Sequence, residues 1–151
     1  MYKKPFSKEL YDTHDSKARK KVFEIFKSSK TLTLREPEDK YAVDLDVYKK
    51  NIKIGSLELE IKNNWIGKEF NFPDIQALPR KEKYNHKTIW VLFNKDCSQH
   101  LIARMRQVIQ CPTRKIVNKY SNGNLETFYV VPKDIVKFNG LYKVIEKEDN
   151  S

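Results

Sequence analysis

The most constraining feature of this sequence is a pair of alternating apolar and polar runs within residues 41–62, YAVDLDVYKKNIKIGSLELEIK. Side-chain character changes at every second residue in each run, which is the period of a β-strand with one buried face. A polar connection containing Lys49, Lys50, Asn51 and Gly55 separates the runs. The segment therefore predicts an antiparallel hairpin, and the alternation fixes the face on which each charged side chain lies.

The predicted hairpin gathers its ionisable side chains on one face: Asp44, Asp46, Glu58, Glu60 and Lys62. A hairpin symmetric about Ile52 would set Asp44 opposite Glu60, at a cross-strand distance of about 5 Å. It would likewise set Asp46 opposite Glu58. Carboxylates this close repel one another unless a cation lies between them. Mg²⁺ binds one or two carboxylates and completes its shell with water and phosphate, so we expect a divalent-cation site here.

The spacing of Asp44, Glu60 and Lys62 resembles the motif of the PD-(D/E)xK, or restriction-endonuclease-like, nuclease superfamily. The predicted order of a leading helix, a meander of three strands, an intervening segment and a buried fourth strand is also similar to that family's core, over residues 15–105. The resemblance implies that Asp44 and Glu60 ligate Mg²⁺, for which Mn²⁺ can substitute, and that Lys62 assists the attacking water. Glu58 is a further catalytic candidate, as a ligand or as support for one. The register decides whether Asp44 or Asp46 is the ligand.

The charge of the chain indicates a polyanionic partner. Lysine and arginine number 30 against 20 aspartates and glutamates, which gives a formal net charge of +10. A field of this sign concentrates nucleic acid near the protein, although lysines that only keep a protein soluble are the alternative. The candidate nucleic-acid-binding residues are Arg80, Lys81, Lys83, Lys87, Arg104 and Arg106.

Other patterns predict the rest of an α/β fold with a central mixed sheet, flanking helices and a hairpin-rich C-terminal part. The apolar run at 88–94 is typical of a strand buried on both faces. The segment 106–118 is ambiguous between helix and strand. Further predicted elements are a helix from Asp15 or Ser16 to Ser29, a strand at 31–35, an irregular excursion at 63–87, a strand at 99–105, a turn at 121–124 and a short helix at 132–138.

The size of the chain is that of one domain, residues 1–151, whose last residues, 139–151, are expected to fray. Cys97 and Cys111 form no CxxC pair, and no hydrophobic signal segment opens the sequence. No apolar run approaches the roughly 20 residues of a membrane span. These features favour a cytoplasmic protein without a membrane partner.

Together these features predict a Mg²⁺-dependent endonuclease that hydrolyses DNA. The small size is similar to that of phage-encoded, homing or junction-resolving members of the superfamily. Cleavage of both strands needs two sites, which favours a homodimer. Two alternatives remain open at this point: a non-catalytic nucleic-acid-binding protein with a vestigial nuclease fold, and a nuclease directed at RNA.

Overall fold

A computed structural model describes residues 8–37, 44–77, 87–117 and 125–149. Its helices and strands are α1 (Lys8–Phe26), β1 (Leu32–Arg35), β2 (Leu45–Lys49), β3 (Ile52–Ile61), β4 (Ile75–Ala77), β5 (Thr88–Phe93), β6 (His100–Arg104), α2 (Met105–Val108), β7 (Thr113–Val117), β8 (Leu125–Val131), β9 (Lys137–Phe138) and α3 (Leu141–Asp149), with a 3₁₀ helix at Lys133–Ile135.

A mixed sheet of six strands, in the order β1-β2-β3-β5-β6-β9, organises the fold. Strands β3 and β5 run parallel, whereas the other neighbours in this sheet are antiparallel. A second, antiparallel sheet has the order β4-β8-β7. The α/β class and the central mixed sheet are therefore confirmed.

The central sheet is covered on both faces because its strands alternate between two apolar clusters. Leu57 and Leu59 of β3 face the cluster that includes α1 and α3. Trp90 and Leu92 of β5 face the opposite cluster, which includes the second sheet. All six residues of β5 are buried, as the continuous apolar run at 88–94 predicts.

The predicted strands at 31–35 and 99–105 are confirmed as β1 and β6, and the hairpin within 41–62 as β2 and β3. The ambiguous stretch 106–118 contains the end of the short helix α2 and then β7. The excursion is mostly irregular but includes β4, and its residues 78–86 lie outside the described ranges. The turn predicted at 121–124 also lies outside them. No helix occurs between β3 and residue 77.

Two predictions for the C-terminal part are wrong. The short helix expected at 132–138 is a single 3₁₀ turn followed by β9. The residues expected to fray instead form α3, in which Leu141 and Ile145 are 1% and 6% exposed. Burial of these two side chains against the central sheet stabilises a segment that its polar neighbours made appear disordered. No helix within the described ranges is long and apolar enough to cross a bilayer.

His100 joins α3 to the central sheet. Its Nε2 accepts a hydrogen bond of 3.3 Å from the backbone N–H of Leu141, at the start of α3. The backbone N–H of Asn139 donates to the carbonyl oxygen of His100 at 2.8 Å. The backbone N–H of His100 in turn donates to Oδ1 of Asn139 at 3.2 Å. Burial, with a smaller effect of nearby Lys21, lowers the pKa of His100 to about 4. The imidazole is therefore neutral in the folded protein at neutral pH.

This arrangement predicts that acid destabilises the fold through His100. In the unfolded chain the imidazole takes up a proton near pH 6.5, and in the folded protein only near pH 4. The contribution of His100 to the free energy of unfolding is therefore fully present above pH 6.5 and is lost as the pH falls toward 4. The loss is at most about 3 kcal/mol, since one pKa unit corresponds to about 1.4 kcal/mol. Urea unfolding at pH 7.5 and 4.5 measures it. His100→Gln, which does not titrate, should lose less stability between these pH values than the wild type; an equal loss would contradict the assignment.

Candidate functional site

A bulge in β3 sets the positions of the acidic side chains. Lys49 pairs with Ile52 across the turn, but Val47 pairs with Gly55, so Ile54 is an extra residue in β3. One extra residue reverses which side chains of the two strands share a face. Without the bulge, the aspartates of β2 and the glutamates of β3 would lie on opposite faces.

The register predicted from a hairpin symmetric about Ile52 is wrong by two residues. Leu45 pairs with Leu57, and Asp46 pairs with Ser56 rather than Glu58. The same register sets Asp44 opposite Glu58 rather than Glu60. The turn is centred between Lys50 and Asn51 instead of on Ile52, which displaces the pairing by three residues. The extra residue of the bulge restores one of them. A displacement of two preserves the face, so the acidic side chains still lie on one side of the sheet, although their cross-strand partners differ.

Asp44 directly precedes β2 and continues its pairing with β3. Its backbone N–H donates to the carbonyl oxygen of Leu57 at 3.1 Å, and its carboxylate Oδ2 accepts from the N–H of Leu59 at 2.7 Å. The other carboxylate oxygen lies 4.0 Å from Nη2 of Arg19 in α1. These contacts hold the carboxylate of Asp44 beside Leu59, which lies between Glu58 and Glu60 in β3.

Asp46 is occupied differently from Asp44. Its Oδ1 lies 3.1 Å from Nζ of Lys53, and the aspartate side chain is 8% exposed. Because Asp46 pairs with Ser56, it also lies nearer the turn than Glu58 and Glu60 do. The geometry thus favours Asp44 over Asp46 as the partner of Glu60.

Glu58 and Glu60 point to the same face of β3 from positions beside β5. Glu58 is 6% exposed and pairs with Trp90, whereas Glu60 is half-buried and pairs with Leu92. One carboxylate oxygen of each is inaccessible to solvent. Two carboxylates beside apolar side chains interact more strongly with a cation than exposed ones would, because screening by water is reduced.

Lys62 follows β3 directly and extends its parallel pairing with β5. Its backbone N–H donates to the carbonyl oxygen of Phe93 at 2.8 Å. Its Nζ lies 4.4 Å from the centroid of the Phe72 ring in the excursion. Burial lowers the pKa of Lys62. The amine is therefore held under an aromatic ring at the same end of β3 as Glu60.

The donor set suits Mg²⁺ better than a metal enclosed entirely by protein ligands. Within the described ranges, no three His, Cys, Asp or Glu side chains are grouped to hold a metal ion. Mg²⁺ needs only one or two carboxylates when water and substrate phosphate complete its shell, and Asp44 and Glu60 offer hard oxygen donors of this kind. Glu58 lies two residues before Glu60 on the same face of β3 and is the further candidate. The residues present fit Mg²⁺ and offer none of the sulfur or imidazole donors typical of a structural zinc site.

The described candidates for nucleic-acid binding lie together at one end of the central sheet. Lys87 immediately precedes β5, and Arg104 pairs with Ile89 near the start of that strand. Arg106 follows in α2 and is exposed. We call Lys87, Arg104 and Arg106 the basic end. Glu60 pairs with Leu92, four residues along β5 from Thr88. The basic end is therefore about 13 Å from Glu60 along the strand. Arg80, Lys81 and Lys83 lie outside the described ranges.

Several contacts of the site could not have been found from the sequence. The ring of Phe72 reaches Lys62 from ten residues away, and Arg19 approaches Asp44 from α1. Both contacts depend on tertiary packing, which no local pattern reveals. Trp65 of the excursion is fully buried, so its ring belongs to the core.

The two cysteines take no part in this site. Cys97 is buried among the side chains that face α1, whereas Cys111 packs against the opposite cluster. Burial raises the pKa of both thiols. Two inert thiols on opposite faces of the sheet cannot form a disulfide with each other.

No model of a known protein family matches this sequence, and no curated protein is significantly similar to it.

Proposed function

We propose that this protein is a Mg²⁺-dependent endonuclease that hydrolyses DNA phosphodiester bonds, with a restriction-endonuclease-like core. The observation that carries the proposal is the placement of three side chains along the last residues of β3: the Asp44 carboxylate accepts from the N–H of Leu59, and Glu60 and Lys62 follow Leu59 in the chain. Two carboxylates and an amine in this setting can bind a divalent cation and a phosphate together.

Each side chain has a role that its environment supports. Asp44 and Glu60 would hold Mg²⁺, and Glu58 would support one of these two ligands. Bound there, Mg²⁺ would polarise the phosphate and lower the pKa of a coordinated water. Lys62, confined by Phe72, would orient the attacking water or stabilise the charge that develops on phosphate. Mn²⁺ has the same preference for oxygen donors and should substitute.

The order of elements supports a restriction-endonuclease-like core. Helix α1 precedes the antiparallel strands β1, β2 and β3, and the buried strand β5 then pairs parallel with β3. This is the order that the resemblance implied, with the catalytic candidates on the central strands. The net charge of +10 and the basic end favour DNA as substrate.

Assembly and location follow from the same proposal. One chain offers one such site, so cleavage of both strands of a duplex favours a homodimer. The two reduced cysteines on opposite faces suit a reducing cytoplasm.

A non-catalytic DNA-binding protein is the second candidate function. It is favoured by the hydrogen bond from Leu59 to the carboxylate of Asp44, since a carboxylate engaged by the backbone also serves the fold. This candidate predicts binding of DNA that is equal with and without a divalent cation, and no strand cleavage.

Substitution of Lys62 tests the two candidates. We expect wild-type protein to nick supercoiled DNA with Mg²⁺ or Mn²⁺ and not with EDTA, and Lys62→Ala to be slower by roughly 100-fold, the effect of removing one preorganised charge from an active site. Lys68→Ala, which alters an exposed lysine of the excursion, is the matched control and should cleave normally. Parallel reactions with single-stranded DNA, branched junctions and structured RNA identify the substrate. Metal-independent binding without nicking would favour the second candidate.

A further inference from the structure

The tip of the β2–β3 hairpin, residues 49–53, has an unusual turn. Its two central residues, Lys50 and Asn51, have φ values of 49° and 69°. Turns of this kind most often contain Asn-Gly, because a left-handed backbone is unfavourable for a residue with a long side chain. Lysine at such a position is locally unfavourable, and backbone strain of this kind is typical of functional sites.

The tip presents an apolar side chain between cations. Ile52 is 68% exposed. Isolated exposed apolar residues are common, but this one lies in the chain between the exposed Lys50 and the half-exposed Lys53, whose Nζ is 3.1 Å from Oδ1 of Asp46. An apolar side chain flanked by lysines matches the chemistry of a DNA groove, which offers stacked bases between two rows of phosphates.

Contacts from the neighbouring strand brace the tip. Nη2 of Arg35 in β1 donates to Oδ1 of Asn51 at 2.7 Å, and the guanidinium lies 4.3 Å from the centroid of the Tyr48 ring. A braced apex loses little conformational freedom when it binds a partner. The guanidinium also adds a cation at the apex of the turn, beside Asn51.

The tip is continuous with the basic end. Lys87 of the basic end accepts, through its carbonyl oxygen, a 3.1 Å hydrogen bond from the N–H of Ser56 in β3. The start of β3, which carries the tip, therefore lies beside the start of β5. The eight-residue step from Ile52 to Glu60 places the tip about 26 Å along β3 from the candidate catalytic residues.

We propose that the hairpin tip is a docking element for double-stranded DNA, in which Ile52 enters a groove and presses on a base step while Lys50 contacts a flanking phosphate. The inference deepens the proposed function by assigning how a duplex is held, and rests on it only in taking DNA as the partner. Proteins that insert apolar wedges into the minor groove partly unstack the adjacent base step. The tip provides the wedge and the cations on one rigid turn.

Binding without cleavage tests this inference separately from catalysis. Fluorescence anisotropy of a labelled duplex in EDTA measures affinity, and 2-aminopurine within the duplex reports unstacking through increased emission. We expect Ile52→Ala to weaken binding by about tenfold, as expected for loss of most of a buried isoleucine, and to abolish the increase in emission. Ile66→Ala is the matched control, because Ile66 is similarly exposed, at 72%, but lies in the excursion.

Lys50→Asn separates electrostatic docking from a structural role of the turn. Asparagine tolerates the left-handed backbone better, so the thermal midpoint should rise. The salt dependence of duplex affinity should nevertheless decrease by about 0.9 in log–log slope, the value for one phosphate contact. Unchanged affinity and emission in Ile52→Ala would overturn the inference even if the wild type nicks DNA. Weakened binding by Ile52→Ala would support it even if no nicking occurs.

Discussion

Replacement of Glu60 by glutamine is expected to reduce metal-dependent nicking of supercoiled DNA by roughly 100-fold or more, because it removes one of the two charged ligands that we propose for Mg²⁺. Glutamine keeps the shape of the half-buried side chain, so its packing beside Leu92 should survive. Initial nicking rates over a range of Mg²⁺ and Mn²⁺ concentrations measure the effect. Glu146→Gln, an exposed position of α3, is the matched control and should retain the wild-type rate.

The same variant has an opposite effect on stability. In the absence of a divalent cation, neighbouring carboxylates repel, so removal of the charge of Glu60 should leave the thermal midpoint unchanged or raise it. Added Mg²⁺ should raise the midpoint of the wild type and have less effect on Glu60→Gln. Wild-type nicking by Glu60→Gln, or equal stabilisation of both proteins by Mg²⁺, would contradict the assignment of Glu60 as a ligand.

Replacement of Gly55 by alanine should destabilise the fold by about 2–3 kcal/mol, the upper range for overpacking at a well-packed position. A Cβ at Gly55 would lie 2.9 Å from the carbonyl oxygen of Lys87. That oxygen belongs to the backbone and accepts the hydrogen bond from Ser56, so it cannot move without separating β3 from β5. Urea unfolding of the purified variant measures the loss.

Ser56→Ala is the control for Gly55→Ala. It removes the hydroxyl that lies 2.9 Å from the Thr88 hydroxyl but adds no atom between the strands. Its cost should be about 1 kcal/mol, the usual value for one hydrogen bond. Equal stability of Gly55→Ala and the wild type would show that the bulge accommodates a side chain. A displaced bulge should also impair nicking, because the acidic faces of β2 and β3 would no longer coincide.

Periodicity was sufficient to predict which side chains of β2 and β3 share a face, but not which residues are paired. The alternation of Glu58, Glu60 and Lys62 is local, so the sequence reveals it. The bulge at Ile54 changes the pairing of β2 with β3 without changing this alternation, so no periodic pattern marks it. A symmetric hairpin was therefore the simplest expectation, and it was displaced by two residues.

At the C-terminus the sequence pattern predicted too little structure, because the segment expected to fray contains the helix α3. Four of the six residues that follow Ile145 are charged and the other two are polar, which is typical of a frayed end. Leu141 and Ile145 lie one turn apart and are buried against the sheet, and His100 receives the first N–H of the helix. Two apolar residues and one distant acceptor are too weak a local signal to predict a helix, but they suffice once the sheet is present.

The parallel pairing of β3 with β5 has a consequence for the order of folding. The β2–β3 hairpin closes through a short turn and can form on the microsecond scale, whereas β3 must await a strand that lies beyond the whole excursion. The backbone of Lys62 bonds to Phe93, so the environment of its amine is incomplete until that distant strand docks. A nascent or partly refolded chain would thus form the β2–β3 hairpin before the surroundings of Lys62 are complete.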